Sequence, residues 1–464
     1  MKKMNKVLWL VLIISLVLSV ALIWAGGQQE SASSGAATDE EGFDWRRYEG
    51  TRLVVNFPPN LAYNKVVEML PEFEALTGMK VEADMINYMR LHDKQVLEFS
   101  KPTGDYDVVS FVCMWKTEYV AGDNLEQLEP YFDNENLAMP DYDFDDLVPA
   151  FVDNTGRVGG TKIYMGGPGS KLYGVPLSAE TSILAYRTDV YDELGLEYPK
   201  WYEDVHEHAK IIHEEVPGVD GLTMRGASGH QATAGWLTHG DPMGAKVFDE
   251  DWEPIFDNED SIRTLDFMKD MVEWGPPGIP SFSVGDADNA FLQGKAALYI
   301  DHDKIAGLSR DESQSKVVGN VGYALHPKDK KYPDMEKWSE TGGFGIGIPS
   351  NSANKEAAFL LLQWLTSKEV SEAVALAGGS SNRMSIFEDP EMQEKFPEFE
   401  VLVEQIKHAD PDWRPIIKEW GEINVQYMGV AINQVLTGEK TPERAMDEIK
   451  EPVREIMQKA GYYD

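Results

Sequence analysis

The carboxylate of Glu180 lies within LYGVPLSAETSILAYRTDVYDELG, Leu172 to Gly195, between a Pro-Leu entry and the apolar run Ile183–Tyr186. The stretch reads as a buried strand, a short turn and the start of a helix. An ionised acid in such a strand is costly unless something pairs with it. A bound ligand or a buried arginine could be that partner. Trp115 follows the apolar run DVVSFVCM, and Asp301 follows KAALYI. Both positions read as strand C-termini, where open α/β sheets place ligands. Carbohydrates offer flat C–H faces to aromatic rings and hydroxyls to carboxylates, amides and arginine. Singly each aromatic reads better as core; as a set they point to a sugar cleft.

Signatures of enzymatic chemistry mostly fail. GGPGSK, Gly166 to Lys171, lacks the spacing of a phosphate-cradling loop and reads as a surface turn, and GGFGIG is not a dinucleotide fingerprint. Neither G-x-S-x-G nor H-E-x-x-H occurs. DYDFDD, Asp141 to Asp146, begins like a calcium loop but has no glycine at its sixth position and Val152 where the bidentate Glu belongs. In HEHAKIIH, His206 and His213 share a helix face two turns apart, about 10 Å, too far for one ion, so a solvated face is expected. The single cysteine, Cys113, allows no intrachain disulfide and reads as a small buried hydrophobe without a neighbouring His or Arg in the sequence. Acidic pairs are too numerous to single out a glycosidase pair, which keeps a secreted carbohydrate-active enzyme with Asp/Glu catalysis as the alternative. No catalytic residue, metal or cofactor is expected.

Composition narrows the partners. The chain has 464 residues, 42% of them hydrophobic, and a formal charge of -37. That size supports two or more domains, and that acidity disfavours nucleic acid and anionic membranes while suiting a neutral or cationic ligand. Residues 1–25 join a basic start, MKKMNK, to the apolar stretch Val7–Ala25, which reads as a signal peptide cleaved after Ala25. The stretch is also long enough for an uncleaved membrane tether. No cysteine at the junction offers a lipid anchor. Residues 26–49, rich in Ser, Ala, Gly and Glu, read as a flexible linker. The chain is thus expected in the periplasm or outside the cell.

From TRLVVNF onward, strands alternate with helices: NKVVEMLPEFEALTG is a helix, MKVEADMI a strand, RLHDKQVLEFS a helix and DYDVVSFVCM a strand. This is the pattern of βαβ units and a largely parallel sheet. Beyond Gly195 helices dominate, with KAALYID, NVGYALHP and TGGFGIGIP as strands. Two α/β lobes that exchange chain segments fit this order better than consecutive domains.

The blocks FEALTGMKVE, GDYDVVSF, NLEQLEPYF, AFLQGKAALYID, VGYALHP, GGFGIGIPSNSANKEAAFLLLQWLTSKE and LTGEKTPERAMDEI, with the opening stretch, occur in an order and spacing that covers nearly all of residues 50–460. Together they resemble the solute-binding proteins of carbohydrate ABC importers, the group that includes maltose-binding protein. SAETS, LYID and SSNRMS resemble the branch that takes monosaccharides or polyols. The resemblance implies a two-lobed periplasmic-binding-protein fold with crossover hinge strands at VPLSAETSIL and near TGGFGIGIP. It places residues 50–178 with 342–380 in one lobe and 179–341 with 381–464 in the other. It implies a monomeric, non-enzymatic receptor that delivers a sugar or polyol to ABC transporter permease subunits. By the same resemblance, Glu180 reaches sugar hydroxyls at the hinge mouth and Trp115 stacks from the first lobe. Asp301 stands where maltose-type members carry an aromatic, which argues against long maltodextrins. Arg383 is a hydroxyl donor or a partner for Glu180 or Asp301, and Asn60 and Tyr63 occupy a sugar-contacting loop. His230, Gln231, Trp236, Gly343, Trp420 and Asn424 are candidates by approximate position.

Overall fold

The computed structural model describes residues 42–463; the expected signal peptide lies outside them, as does most of the expected linker. The first units are β1 (Arg52–Phe57), α1 (Leu61–Thr77), β2 (Lys80–Met85), α2 (Tyr88–Phe99) and β3 (Val108–Val112). α1 buries Tyr63, Val66, Leu70 and Phe73 on one face, the three-and-four spacing of a helix against a sheet. Asn60 caps its N-terminus by accepting from Tyr63 N at 3.0 Å, and Gly78 ends it in the left-handed region. β3, VVSFV, is buried throughout, as a strand covered on both faces must be.

The 13-residue β4 (Val175–Arg187) follows, then α3 (Tyr202–Glu215), β5 (Asp220–Thr223), α4 (His230–Gly240) and α5 (Glu259–Trp274). Next come β6 (Ala296–His302), β7 (Val321–Leu325), β8 (Thr341–Gly347) and α6 (Lys355–Leu365). The eight strands run in the order β2-β1-β3-β8-β4-β6-β5, with β7 also paired to β4. β4 changes partners along its length. Residues from Val175 to Thr181 pair with β8, whereas Ser182 to Arg187 pair with β6 and β7. The switch is accompanied by a local distortion: Ser178 has φ +64°, Gly343 has φ +81°, and the β4–β8 register shifts between Gly343 and Gly345. A Cβ at Gly343 would come within 2.4 Å of the Ser178 carbonyl oxygen, so only glycine fits there without displacement. β4 and β8 are the crossover strands.

Separate apolar cores lie on either side of this crossover. One holds Val55, Phe73, Val108 and Ile346 with Phe359 to Leu362 of α6. The other holds Leu184, Trp236, Met268, Leu298, Trp420 and Ile432. A third cluster packs Val148 and Phe151 on Ala179, Ile183, Phe387 and Phe399, and so touches β4 on both sides of its switch. Residues 43–49 do not behave as the linker expected of them: Phe43 packs edge-on against Trp45, Trp45 edge-on against Phe73, and Tyr48 bonds to Glu356. Their aromatic rings, absent from the stretch before them, supply the burial that holds them.

Candidate functional site

A cavity of about 460 Å³ opens where β4 and β8 cross. The start of α1 forms one wall. There the Asn60 amide, whose oxygen is spent on the helix cap, donates to Ser178 Oγ at 3.2 Å. Glu180, two residues further along β4, projects into the cavity with its side chain 18% exposed. Its partner is Lys304, which also donates to the Ser178 carbonyl at 3.1 Å. Burial alone would raise the Glu180 pKa, but Lys304 and then His302 outweigh it and hold the carboxyl below its usual range. This ion pair answers the question that the buried acid poses, and the partner is not Arg383.

Behind this pair lies a second layer of charge. Asp301, inside β6 rather than after it, is gripped in bidentate fashion by Arg225, with Nε to Oδ2 at 2.6 Å. Burial pushes Asp301 up, yet Arg225 holds it low. Arg225 also lies 4.0 Å from Glu340, which accepts from Thr238 at 2.7 Å. Burial and the neighbouring Asp301 charge lift Glu340 to about 7. His302 meets Asp288 at 3.2 Å; burial opposes its charge, but Asp288 and then Asp301 raise it to about 9. Each donor here is locked to a carboxylate while remaining at the cavity wall, which gives a rigid array for hydroxyl groups.

Another part of the lining comes from the segment Trp413–Arg414 and the end of β3. Trp413 is fixed by donation from Nε1 to the Thr341 carbonyl at 2.7 Å. The Arg414 guanidinium stacks on that indole, 4.5 Å from its centroid, and Nη2 reaches Cys113 Sγ at 2.9 Å. Val112, Met114 and Phe344 add apolar surface.

Of the residues anticipated from sequence, Asn60, Glu180 and Gly343 line the cavity, as does His230. Asp301 stands one step behind, through Arg225. Gln231 donates to Tyr88 OH at 3.1 Å and accepts from Val284 N, while Asn424 donates to His230 Nδ1 at 3.0 Å. Both therefore hold cavity residues without lining the cavity. Tyr63 is buried, with its hydroxyl donating to the Leu177 carbonyl at 3.0 Å. Trp236 and Trp420 are fully buried in the second core. Trp115 lies among His92 and Tyr119, outside the cavity lining. Arg383 is wholly buried, bonding the carbonyls of Thr366, Asp143 and Tyr142 and the Asp146 carboxylate. Its guanidinium splices loops together and does not reach Glu180 or Asp301.

Sequence reasoning missed Arg225, His302, Lys304, Trp413 and Arg414. Arg225 and Lys304 each fall just after a strand, in LTMRG and YIDHDK, the place where open sheets present ligand contacts. Cys113 does have an arginine neighbour, contributed by a residue 301 positions away. His206 and His213 pair separately with Asp270 and Asp220, and no cluster suited to a metal occurs among the described residues. No helix among the described residues is long and apolar enough to cross a membrane.

A family model described as bacterial extracellular solute-binding protein matches residues 61–372. A mannitol-binding protein of Pseudomonas aeruginosa is 29% identical over 69% of this chain and 75% of its own length. A probable amino-acid ABC transporter periplasmic-binding protein of Sinorhizobium fredii is 24% identical over 90% of this chain and 92% of its own. The crystal structure of an ABC transporter solute-binding protein from Agrobacterium radiobacter K84, in complex with ribitol, superposes with a TM-score of 0.79 at 26% identity. It covers 88% of this chain and 99% of that one.

Proposed function

The chain belongs to the bacterial extracellular solute-binding proteins, and from that premise we propose that it captures a small polyol or monosaccharide-sized ligand in the crossover cavity and hands it to an ABC permease. The observation that carries this reading is the wall of paired charges. Glu180 with Lys304, Arg225 with Asp301 and His302 with Asp288 present fixed donors and acceptors around about 460 Å³ of space. Cavities of roughly 300–1,000 Å³ with a few oriented polar groups suit small molecules. Relatives and neighbours named for mannitol and ribitol support the same class.

The ligand-contacting set proposed is Asn60, Glu180, Arg225, His302 and Lys304, with Trp413 and Phe344 as apolar faces. The lobes proposed are residues 50–178 with 342–380 and residues 179–341 with 381–464, supported by the separate cores on either side of β4 and β8. The third cluster bridges them. The protein is proposed to bind without turnover. Glu180, an acid of the cavity lining, is held ionised by Lys304, which suits hydroxyl acceptance and not proton donation to a leaving group, and product analysis tests the same for Glu340, the lining acid lifted to about 7. Thermal-shift screening of alditols and monosaccharides, followed by product analysis of any hit, tests both parts. Stabilisation with the ligand recovered unchanged is expected. Released hydrolysis product would establish the enzymatic alternative instead.

A further inference from the structure

The cations of the cavity lining are unevenly matched. Lys304 has Glu180, Arg225 has Asp301 and His302 has Asp288. Arg414, only 4% exposed, has no carboxylate within ion-pair distance among the described residues. The nearby acids of its own segment are engaged elsewhere, Asp410 with Lys246 and Asp412 with Lys162. Among the described residues its guanidinium meets the Cys113 sulfur, a weak acceptor, and the Trp413 ring, and its Nε–H is buried without a partner. A guanidinium stays charged at any working pH, so this is a desolvated positive charge facing the cavity without a protein carboxylate beside it.

His230, beside it in the lining, strengthens the asymmetry. Its Nδ1 accepts from the Asn424 amide, which leaves the ring proton on Nε2. Burial, and then the Arg414 charge, hold its pKa near 3, so the ring is neutral. Arg414 and the neutral His230 ring thus offer donors to the cavity, and neither is ion-paired to a carboxylate among the described residues.

Building on the proposed polyol receptor, we infer that the ligand is a polyhydroxy acid whose carboxylate sits on Arg414 and whose hydroxyls meet the paired charges around Glu180. A planar carboxylate matches the guanidinium fork, and its single charge balances Arg414, the guanidinium of the lining that has no carboxylate partner among the described residues. A phosphomonoester would bring up to a second charge, and among the described residues of the cavity lining no second lysine or arginine lacks a carboxylate to meet it. An α-amino acid would bring an ammonium group toward Glu180, Asp301 and Asp288, which cations already match, and toward Glu340, which is lifted to about 7 and is a weak partner for a cation. The overall negative charge of the chain does not oppose this choice at close range, because exposed charges are screened beyond about 8 Å at physiological ionic strength.

Calorimetric titration of the full chain with matched pairs tests the inference: ribonate against ribitol, gluconate against glucitol, and mannonate against mannitol, with mannitol 1-phosphate and free amino acids as further arms. The acid of at least one pair is expected to bind about tenfold tighter or more than its alditol. Arg414→Gln should bring that ratio close to one, and Arg414→Lys, which keeps the charge but not the fork, should retain part of it. An alditol that binds as well as every acid would overturn the carboxylate assignment and leave the polyol receptor standing. Tighter binding of the phosphate or of an amino acid would replace the ligand class. A preference for the acid that survives unchanged in both variants would remove Arg414 from the site. No binding by any member of either series would sink this inference and the polyol reading together.

Discussion

Glu180 and Lys304 form a half-hidden ion pair whose two side chains are each 18% exposed. Removing one member leaves the other charge in a poorly solvated place. Glu180→Gln is therefore expected to lower the stability of the unliganded chain by about 2 kcal/mol, below the full cost of a completely buried pair. It should also weaken ligand binding by roughly tenfold to a hundredfold, the worth of one charged hydrogen bond. Glu180→Gln with Lys304→Met should recover much of the stability and none of the affinity, as read by urea unfolding and calorimetry. Recovery of both would make the pair purely structural. The acid was legible in the sequence because it interrupts an apolar strand; its partner was not, because Lys304 lies 124 residues away. Arg383 misled for the opposite reason. Its real partners are mostly backbone carbonyls, which no residue pattern advertises.

His302 gives a pH-dependent reading of the same region. Its pKa rises from 6.5 to about 9 on folding, so its contribution is fully present below pH 6.5 and is lost as pH climbs through 9. Lys116, pressed from 10.5 to about 7 by burial, has the opposite slope over pH 7 and above. The useful quantity is thus a difference. The stability advantage of the wild type over His302→Gln should shrink between pH 6.5 and 9, by chemical unfolding at several pH values. A constant advantage across that window would mean that the Asp288–His302 pair does not carry the charge assigned to it.

At the scale of elements, the crossover depends on backbone conformations that few residues tolerate. Gly343→Ala forces an L side chain to φ +81° and into the Ser178 carbonyl, and is expected to cost roughly 1–3 kcal/mol and to weaken binding. Gly421→Ala, with open space at its Cβ and no positive φ, is the control and should change little. Equal melting temperatures for the two variants would remove the strain argument. The early strands and helices were readable from periodicity because each buries one local pattern, as in VVSFV and in the Tyr63, Val66, Leu70, Phe73 stripe. The division of β4 between two sets of partners was not readable from its residues alone, since VPLSAETSILAYR is uniformly strand-like. That part came from family resemblance. Aromatic identity likewise could not separate cleft from core: Trp236 and Trp420 went inward, while Trp413, unremarked in the sequence, came to the wall.

At the scale of the whole molecule, segments from the two sides of the crossover meet at Gln231 with Tyr88 and Lys162 with Asp412, as well as through the buried Arg383 and the third apolar cluster. A part-exposed pair such as Lys162 with Asp412 exchanges readily for water, and a hinge along β4 and β8 would break it. In solution, X-ray scattering is expected to give a smaller radius of gyration with saturating ligand than without. An unchanged radius would argue for a preformed, static cleft. The central claim is capture of a polyhydroxy ligand in the cavity beside Glu180, and calorimetric titration of the full chain with alditols and their aldonic acids tests it most directly. The account predicts saturable binding of one ligand per chain, micromolar or tighter, strongly weakened by Glu180→Gln. Saturation by none of these compounds at millimolar concentration, or equal affinity in the wild type and a folded Glu180→Gln variant, would contradict it.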